Sequence, residues 1–313
     1  MKKIFSLLAA VAIAAGTASA QDINTATEAY NNGAVSLQMG DNAAAIENFQ
    51  SALSMAEGLG DEAAQLVENC KNGICSANMS IAKALYNSKK FAEALDAFNK
   101  TKALADEYGN AEVAAEAEEL IAPTQKNLYN TAGTAAKRAK DYPTAIENFK
   151  KVLELDPANG PAAAQLGDCY YRTKQLDLAV EVLNIAIENG QEEAANKTLS
   201  NVYVLYAQAA RKAKNTQDAY DKAMKSNEYL ENANAYRLAA GAAQELGKND
   251  ECIALYEKYL ELKPNAKDAA GVKFTIAALY QQGGNKEKAK EYYQMVVADP
   301  KFGADAAAQL KTL

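Results

Sequence analysis

The side chains that most often carry chemistry are either absent from this 313-residue sequence or poorly placed to cooperate. Histidine does not occur, which removes the commonest general base, the serine–histidine nucleophile pair and histidine-ligated zinc. Adjacent carboxylates such as Glu118–Glu119 and Glu192–Glu193 are typical of solvated helix faces rather than of acid–base pairs. No GxxxxGK[ST] phosphate-binding loop is present. We therefore predict a protein that is not an enzyme and that needs no cofactor or metal.

The four cysteines, Cys70, Cys75, Cys169 and Cys252, fit no zinc-binding spacing. Cys70 and Cys75 are five residues apart, so on one helix they would point about 140° away from each other. That direction is poor for a disulfide. Cys169 and Cys252 occupy positions where small residues let helices pack. We predict buried, reduced thiols, with a disulfide or a metal role as the alternative.

The elements that would position any site are predicted to be helices. Apolar residues recur at the spacing i, i+3, i+4 and i+7 along most of the chain, and no window alternates as a strand does. The clearest example is Asp141–Asn159, in which Ala145, Phe149 and Val152 share one face. An amphipathic stretch that contains Gly133 precedes it, and together they make a helix–turn–helix pair of about 34 residues. The sequence therefore predicts an all-α fold.

This helix pair recurs seven times. Each second helix places a small residue at the helix crossing, at Ala45, Ala94, Ala145, Ala179, Ala219, Cys252 and Ala289. Each first helix carries a small residue about twelve positions earlier, at Gly33, Ala82, Gly133, Gly167, Ala207, Ala240 and Ala277. Small residues let paired helices approach closely, and an aromatic or aliphatic side chain four positions after the crossing fills the remaining space. Gly40, Gly247 and Gly284 are predicted at the turns, because glycine readily adopts the left-handed conformation that ends a helix.

These units resemble tetratricopeptide repeats (TPRs), and the resemblance covers Ile23–Lys301. Gly133 and Gly167 are 34 residues apart, which is the period of that family. The resemblance implies an α-solenoid in which helix–turn–helix repeats stack into a right-handed superhelix. A generic alanine-rich helical bundle is the alternative.

The spacing of the units predicts two parts. Ala45, Ala94 and Ala145 are 49 and 51 residues apart, so residues 21–125 are predicted to form N-terminal TPR-like units with longer helices. Residues 126–301 are predicted to form compact TPR units, with a soft boundary near Pro123. Residues 302–313 are predicted to form a C-terminal capping helix, since a terminal repeat needs its outer face covered.

The resemblance also implies a concave groove lined by the first helices, and in this chain its positions are rich in basic residues. They are Lys83, Lys137, Arg138, Arg172, Arg211, Lys212 and Arg237, with only Asp168 and Glu245 as acidic members. From these and two aromatic residues we predict the partner-binding set Tyr86, Lys137, Arg138, Tyr171, Arg172, Arg211, Lys212 and Arg237. Arginine binds carboxylates in a bidentate manner and tyrosine offers rigid contact, so we predict a protein or peptide partner, with an acidic or extended segment favoured.

An alternative for these basic residues remains open. Lysine and arginine in the last turn of a helix favour the helix dipole and can simply stay solvated. The sequence does not separate this alternative from a binding site. The co-chaperones of the TPR family grip a terminal carboxylate with a lysine and asparagine set that is missing from three consecutive units here, so that ligand is not implied.

Residues 1–20 are predicted to be a secretory signal peptide. Lys2 and Lys3 precede the apolar run Ile4–Ala15, and Ala18–Ala20 offers small residues before Gln21. The run is short for a membrane helix, so a retained anchor is the weaker alternative, and no later stretch predicts a transmembrane segment. Without the two lysines the formal charge falls from −7 to −9, and a net acidic chain is a poor nucleic-acid ligand. We expect an exported protein of the periplasm or cell envelope, with an extracellular location as the alternative.

These expectations combine into one predicted function. The protein would be a non-enzymatic protein–protein interaction scaffold of the bacterial cell envelope that binds a partner segment in a concave groove. One alternative is a structural component that self-associates in an envelope assembly. Another is a carbohydrate-binding accessory protein, although such proteins usually add long loops bearing tryptophan, and this chain contains none.

Overall fold

A computed structural model describes residues 18–313, so the predicted signal peptide lies almost wholly outside the described residues. The described part is helical throughout and contains no β-strand. Its helices are α1 (Ala18–Gln38), α2 (Asn42–Glu57), α3 (Ala64–Asn87), α4 (Phe91–Tyr108), α5 (Ala111–Arg138), α6 (Tyr142–Leu155), α7 (Gly160–Arg172), α8 (Leu176–Glu188), α9 (Glu192–Lys212), α10 (Thr216–Tyr229), α11 (Ala233–Glu245), α12 (Asn249–Leu262), α13 (Ala269–Gln282), α14 (Lys286–Gln294) and α15 (Gly303–Leu310). A short 3-10 helix, Gly60–Ala63, precedes α3. The predicted all-α fold of helix–turn–helix repeats is confirmed, because α1 to α14 form seven consecutive pairs.

The chain divides into two compact units, one ending at Ala135 and the other running from Ala136 to Leu313. The division falls within α5, which continues through Pro123. Pro123 faces solvent, so the carbonyl group that its missing N–H leaves unbonded can be hydrated. Thr124, which is buried, donates its hydroxyl to the Leu120 carbonyl oxygen at 2.6 Å and adds a hydrogen bond at this point.

In the first unit, Phe49 of α2 shows how the small residues act. Its ring is completely buried and lies between Gly33 of α1 and Gly73 of α3. A Cβ atom added at Gly33 or Gly73 would approach the ring to 2.7 Å or 2.8 Å. Gly73 weakens α3 as an isolated helix, and its place against Phe49 is the packing reason for it. The crossing residues predicted from the sequence therefore do bring helices into close contact.

In the second unit, a buried polar group replaces part of the apolar packing. Ser226 of α10 donates its hydroxyl to the Ser200 carbonyl oxygen at 2.8 Å, and the two hydroxyl oxygens lie 3.0 Å apart. Asn232, which precedes α11, donates to the Ser200 hydroxyl at 3.2 Å. Because every buried hydroxyl has a partner, this group joins α9, α10 and the start of α11 without an unpaired polar atom. Ser226 thus fits a position that is usually small and apolar in the other repeats.

The seven turns within the helix pairs share one backbone conformation. In each turn one residue has a positive φ between 60° and 82°, and two backbone hydrogen bonds close the preceding helix as in a Schellman motif. Glycine takes this position at Gly40, Gly247 and Gly284, as predicted, whereas lysine takes it at Lys89, Lys140, Lys174 and Lys214. At Lys140 the two bonds are Lys140 N–H to Lys137 C=O, 3.0 Å, and Asp141 N–H to Ala136 C=O, 2.9 Å.

Lys140→Gly is expected to raise the free energy of unfolding by about 0.5–1 kcal/mol. Lysine at positive φ places its Cβ atom near a carbonyl oxygen, and glycine removes that strain at the cost of a more flexible unfolded chain. Urea unfolding followed by circular dichroism measures the change. Gly284→Lys, which introduces the same strain in an equivalent turn, is the matched control and should lower stability. An unchanged or lower stability for Lys140→Gly would contradict the expectation.

Candidate functional site

The eight predicted partner-binding residues all lie on first helices of the pairs. Tyr86 is in α3 of the first unit, and the other seven are in α5, α7, α9 and α11 of the second unit. Six of these seven stand in the last turn of their helix, including the five basic residues for which this position was predicted. Arg237 lies in the first half of α11. The structure allows each side chain to be assigned its actual neighbours.

Tyr86 is half-buried and serves the packing of the first unit. Its ring meets those of Phe91 and Phe98 edge to face, with centroid distances of 5.5 Å and 6.5 Å. Its hydroxyl oxygen accepts a hydrogen bond from Asn127 Nδ2 at 2.9 Å. Nearby, Lys83 Nζ lies 2.6 Å from Glu116 Oε1. Tyr86 and Lys83, the predicted groove residues of this unit, therefore contact other side chains of the same unit.

Around Asp168 of α7, two predicted binding residues share one carboxylate. Lys137 Nζ lies 2.6 Å from Asp168 Oδ2 and also donates to Gln165 Oε1 at 2.7 Å. Arg172 Nε donates to Asp168 Oδ1 at 3.3 Å, and its guanidinium group lies 6.0 Å from the centre of the Tyr171 ring. Asp168 is only 19% exposed, so its attraction to both cations is screened less than at an open surface. Much of the charge predicted here is therefore compensated, while Arg138 is exposed to solvent.

Arg211 and Arg237 each lie beside one carboxylate, and Arg211 is held the more loosely of the two. Arg211 Nη2 lies 3.9 Å from Glu245 Oε1, which is too far for a hydrogen bond. Glu245 Oε2 instead accepts a hydrogen bond from Thr216 Oγ1 at 3.0 Å. Arg237 Nη1 donates to Asp268 Oδ2 at 3.3 Å. The side chains of Arg211 and Arg237 are 50% and 47% exposed, so about half of each is open to solvent.

Asp268 also accepts a hydrogen bond from Tyr259 of α12. Tyr259 Oη donates to Asp268 Oδ1 at 2.5 Å. Burial raises the pKa of Tyr259 to about 12, and the hydrogen bond to Asp268 acts in the same direction. Asp268 is therefore shared between Arg237 and Tyr259, just as Glu245 is shared between Arg211 and Thr216.

Tyr256 of α12 lies close to both arginines. It is half-buried, and burial raises the pKa of its hydroxyl group, whereas the positive charges of Arg211 and Arg237 act in the opposite direction. Gly241 of α11 lies next to Arg211 and Tyr256. A methyl group at Gly241 would lie 3.8 Å from Arg211 Nη2 and 3.9 Å from Tyr256 Oη. We call Arg211, Arg237 and Tyr256 the arginine–tyrosine site.

The sequence did not predict the roles of three residues, Tyr256, Glu116 and Asp268. Tyr256 occupies the aromatic position of its repeat, which predicts a space-filling role and gives no hint that its hydroxyl group reaches the arginines. Glu116 and Asp268 pair with Lys83 and Arg237 in addition to the expected Asp168 and Glu245. The Lys83–Glu116 and Arg237–Asp268 contacts join one repeat to the next, 33 and 31 residues away in sequence. Arg211 also lies one repeat before Tyr256, so no local signal could have revealed these contacts.

The four cysteines are buried and free, as predicted. Burial raises the pKa of the Cys70 thiol to about 12 and those of the Cys75, Cys169 and Cys252 thiols to about 11. Neutral buried thiols are poor nucleophiles and poor metal ligands. Among residues 18–313, no three histidine, cysteine, aspartate or glutamate side chains come together as metal ligands would. No helix in the same range is both long enough and apolar enough to cross a membrane.

Comparison with known families recognises TPRs in the second unit. Tetratricopeptide repeat models match residues 136–201, 233–266 and 272–301. These segments contain α6–α8 with the first half of α9, α11–α12, and most of α13–α14, so each matched stretch includes a helix pair of the structure or most of one. These three stretches of the second unit are thus recognised as tetratricopeptide repeats, as the spacing of their small residues predicts. Comparison with curated proteins yields no match.

Several solved structures are similar in part. A crystal structure of MamA protein is 22% identical over 58% of this chain and 94% of the MamA chain, with a TM-score of 0.39. A crystal structure of YrrB, described as a TPR protein with an unusual peptide-binding site, is 19% identical over 59% of this chain and 91% of that chain, with a TM-score of 0.37. These low scores add nothing to the assignment, which depends on the helix pairs and the repeat matches.

Proposed function

We propose that this protein is a protein–protein interaction scaffold whose second unit binds a partner segment across its first helices. The observation that supports this most directly is the arginine–tyrosine site. There the Arg211 guanidinium group and the Tyr256 hydroxyl group lie close to Gly241, and the charge of the half-exposed Arg237 also acts on Tyr256. Surface arginines and tyrosines contribute more binding free energy at protein interfaces than most other residues. A repeat scaffold offers an extended surface on which such residues stay fixed in position.

We also propose that the protein works outside the cytoplasm, in the periplasm or cell envelope. The charged, apolar and small-residue order of residues 1–20 supports export. The net acidic composition and the compensated basic residues favour a protein partner over nucleic acid, because binding to phosphates needs clustered cations that are free to contact them.

Replacing Arg172, Arg211 and Arg237 together with glutamate is expected to abolish partner capture. The change reverses three charges on the first helices, and each new carboxylate repels an acidic partner as well as the neighbouring Asp168, Glu245 or Asp268. The measurement uses immobilised residues 21–313 as bait in cell-envelope and cytosolic extracts, with quantitative mass spectrometry of the captured proteins. We expect a partner from the envelope extract alone and a loss of roughly tenfold or more with the triple variant.

The matched control for this experiment reverses three charges elsewhere. Lys150, Lys258 and Lys290 are exposed residues of second helices in the same unit, and their replacement with glutamate should leave capture unchanged. Capture that survives the arginine changes would overturn the proposed surface. It would point instead to the apolar cleft of about 300 Å³ among α6, α7 and α8, which Leu153, Leu166 and Leu178 line.

A further inference from the structure

We propose that the arginine–tyrosine site is an anchor for one carboxylate side chain, an internal glutamate or aspartate of the bound polypeptide. The inference rests on the proposed function only in taking the ligand to be part of a polypeptide. It adds the chemistry of the contact and the three residues that make it. It also assigns this contact to the arginine–tyrosine site and not to the other basic residues of the second unit.

Arg211 and Arg237 both have N–H groups that are not used in hydrogen bonds to Glu245 or Asp268. A guanidinium group carries five N–H donors in a fixed plane. Arg211 uses none of them in a hydrogen bond to Glu245, since their atoms are 3.9 Å apart, and Arg237 uses one nitrogen for Asp268. The remaining edges can take the two oxygens of a carboxylate in the bidentate geometry that arginine prefers. Lys137 differs, because its ammonium group already binds Asp168 and Gln165. Arg172, like Arg237, gives one nitrogen to a carboxylate at 3.3 Å, so the arginine–tyrosine site is distinguished by Arg211, which makes no hydrogen bond to Glu245, beside the Tyr256 hydroxyl group.

Tyr256 supplies a third donor at the same point. In the described part of the chain its hydroxyl group takes part in no protein hydrogen bond, while its half-buried ring packs against the apolar core of the second unit. A methyl group at Gly241 would lie 3.8 Å from Arg211 Nη2 and 3.9 Å from Tyr256 Oη, so both donor atoms lie close to one position. Glycine at 241 keeps that position free of a side chain.

The local charge favours a singly charged ligand. Arg211 and Arg237 contribute two positive charges, and Glu245 and Asp268 contribute two negative charges close by. A carboxylate adds one negative charge to this balanced group, whereas a phosphate adds nearly two. The second charge of a phosphate would meet repulsion from both flanking carboxylates without further cations to offset it. We therefore assign the site to carboxylate side chains rather than to phosphorylated ones.

The test measures binding of a fluorescein-labelled hexaglutamate peptide, amidated at its C-terminus, by fluorescence anisotropy at low ionic strength. The amide removes the terminal carboxylate, so only side chains can bind. Because the protein is net acidic, it repels this peptide except at a local site. We expect saturable binding, no binding of hexaglutamine, and weaker binding of a phosphoserine peptide of equal length. Arg211→Gln and Arg237→Gln should each weaken hexaglutamate binding at least fivefold, and Tyr256→Phe about threefold.

Two further variants control for charge and folding. Lys258→Gln removes one exposed charge from α12 and should change the affinity less than twofold. Gly241→Glu places a carboxylate between Arg211 and Tyr256, where it should bind both and block the site from within. It should abolish hexaglutamate binding and raise the melting temperature relative to Gly241→Gln, which has the same size without the charge. This result would show a filled site in a folded protein.

Three outcomes would overturn the assignment. The first is that the wild-type protein does not bind hexaglutamate at millimolar concentration. The second is that the arginine variants bind hexaglutamate as tightly as the wild type does. The third is that the phosphoserine peptide binds more tightly than hexaglutamate. These outcomes are distinct from failure of the proposed function. Peptide binding that depends on the arginines, without any captured envelope protein, would refute the scaffold role but not the anchor. Arginine-dependent capture without hexaglutamate binding would refute the anchor alone.

Discussion

Gly73→Ala is expected to lower the free energy of unfolding of the first unit by about 1–3 kcal/mol. Replacing glycine with alanine inside a helix usually stabilises it, by up to about 1 kcal/mol, so the expected effect has the opposite sign. The reason is Phe49, whose ring would lie 2.8 Å from the new Cβ atom. The ring cannot move away, because Gly33 meets its other side and the side chain is completely buried.

Gly241→Ala is the matched control. Gly241 also lies inside a helix, but a Cβ atom there would meet nothing closer than 3.8 Å. It should therefore stabilise the second unit by up to about 1 kcal/mol, as helix propensity predicts. Urea unfolding followed by circular dichroism gives both values.

A compensating change makes the expectation for Gly73 sharper. Phe49→Leu removes the ring that the new methyl group would meet, so the double variant should lose less stability than the sum of the two single changes. Contacting residues couple in this way, whereas distant ones add. Gly73→Ala that stabilises the protein, or strict additivity with Phe49→Leu, would show that Phe49 and Gly73 are not in tight contact.

Raising the pH above 9 is expected to unfold the protein cooperatively, with a loss of several kcal/mol of stability by pH 11. The ordinary pKa of a thiol in the unfolded chain is 9.0, and burial raises it to about 12 for Cys70 and about 11 for Cys75. Since the folded-state pKa is the higher one, the stabilisation is complete below pH 9 and is lost as the pH rises toward 11 to 12. Each pKa unit corresponds to about 1.4 kcal/mol, so four buried thiols can cancel a typical stability of about 5–15 kcal/mol.

Tyrosine ionisation adds to this loss above pH 10. Burial and a hydrogen bond to Glu251 raise the pKa of Tyr220 to about 12, and Tyr259 is raised to the same extent. The urea midpoint should therefore stay constant from pH 7 to 8 and fall steeply between pH 9 and 11. Circular dichroism at 222 nm measures the midpoint at each pH.

Cys252→Ala separates the thiol contribution from the rest. At pH 7 the variant should be about 1 kcal/mol less stable, because it leaves a small cavity. This deficit should shrink or reverse above pH 9, since alanine does not ionise. A wild-type midpoint that stays constant to pH 11, or a fourfold cysteine-to-alanine variant that loses stability equally between pH 9 and 10, would contradict the assignment to buried thiols.

Much of the fold could be predicted from residue spacing because helix formation and helix pairing within a repeat are local. Ala145, Phe149 and Val152 recur on one face, and the structure buries all three. The glycine turns at Gly40, Gly247 and Gly284 were predicted for the same reason, since glycine alone is free of strain at positive φ. The lysine turns were missed because the position is set by the hydrogen bonds of the turn, which hold Lys140 and its equivalents in a conformation that lysine does not favour.

The candidate site was only half predictable. Repeat phase assigned Arg211, like Lys137 and Arg172, to the last turn of a first helix, yet it could not show which of these cations has a close acidic partner. The structure shows that Asp168 binds both Lys137 and Arg172, whereas Glu245 accepts a hydrogen bond from Thr216 and makes none with Arg211.

Residue types and their period thus determined that this chain is helical, how often its unit repeats and which side chains fill the core. Only the packed structure decided which charges cancel, why Gly73 is needed against Phe49 and how Tyr256 meets two arginines. The physical reason is the distance along the sequence between the groups that interact. Helical periodicity follows from bonds within four residues of each other, while charge pairing and close packing depend on groups about 30 residues apart that meet only when one repeat packs on the next.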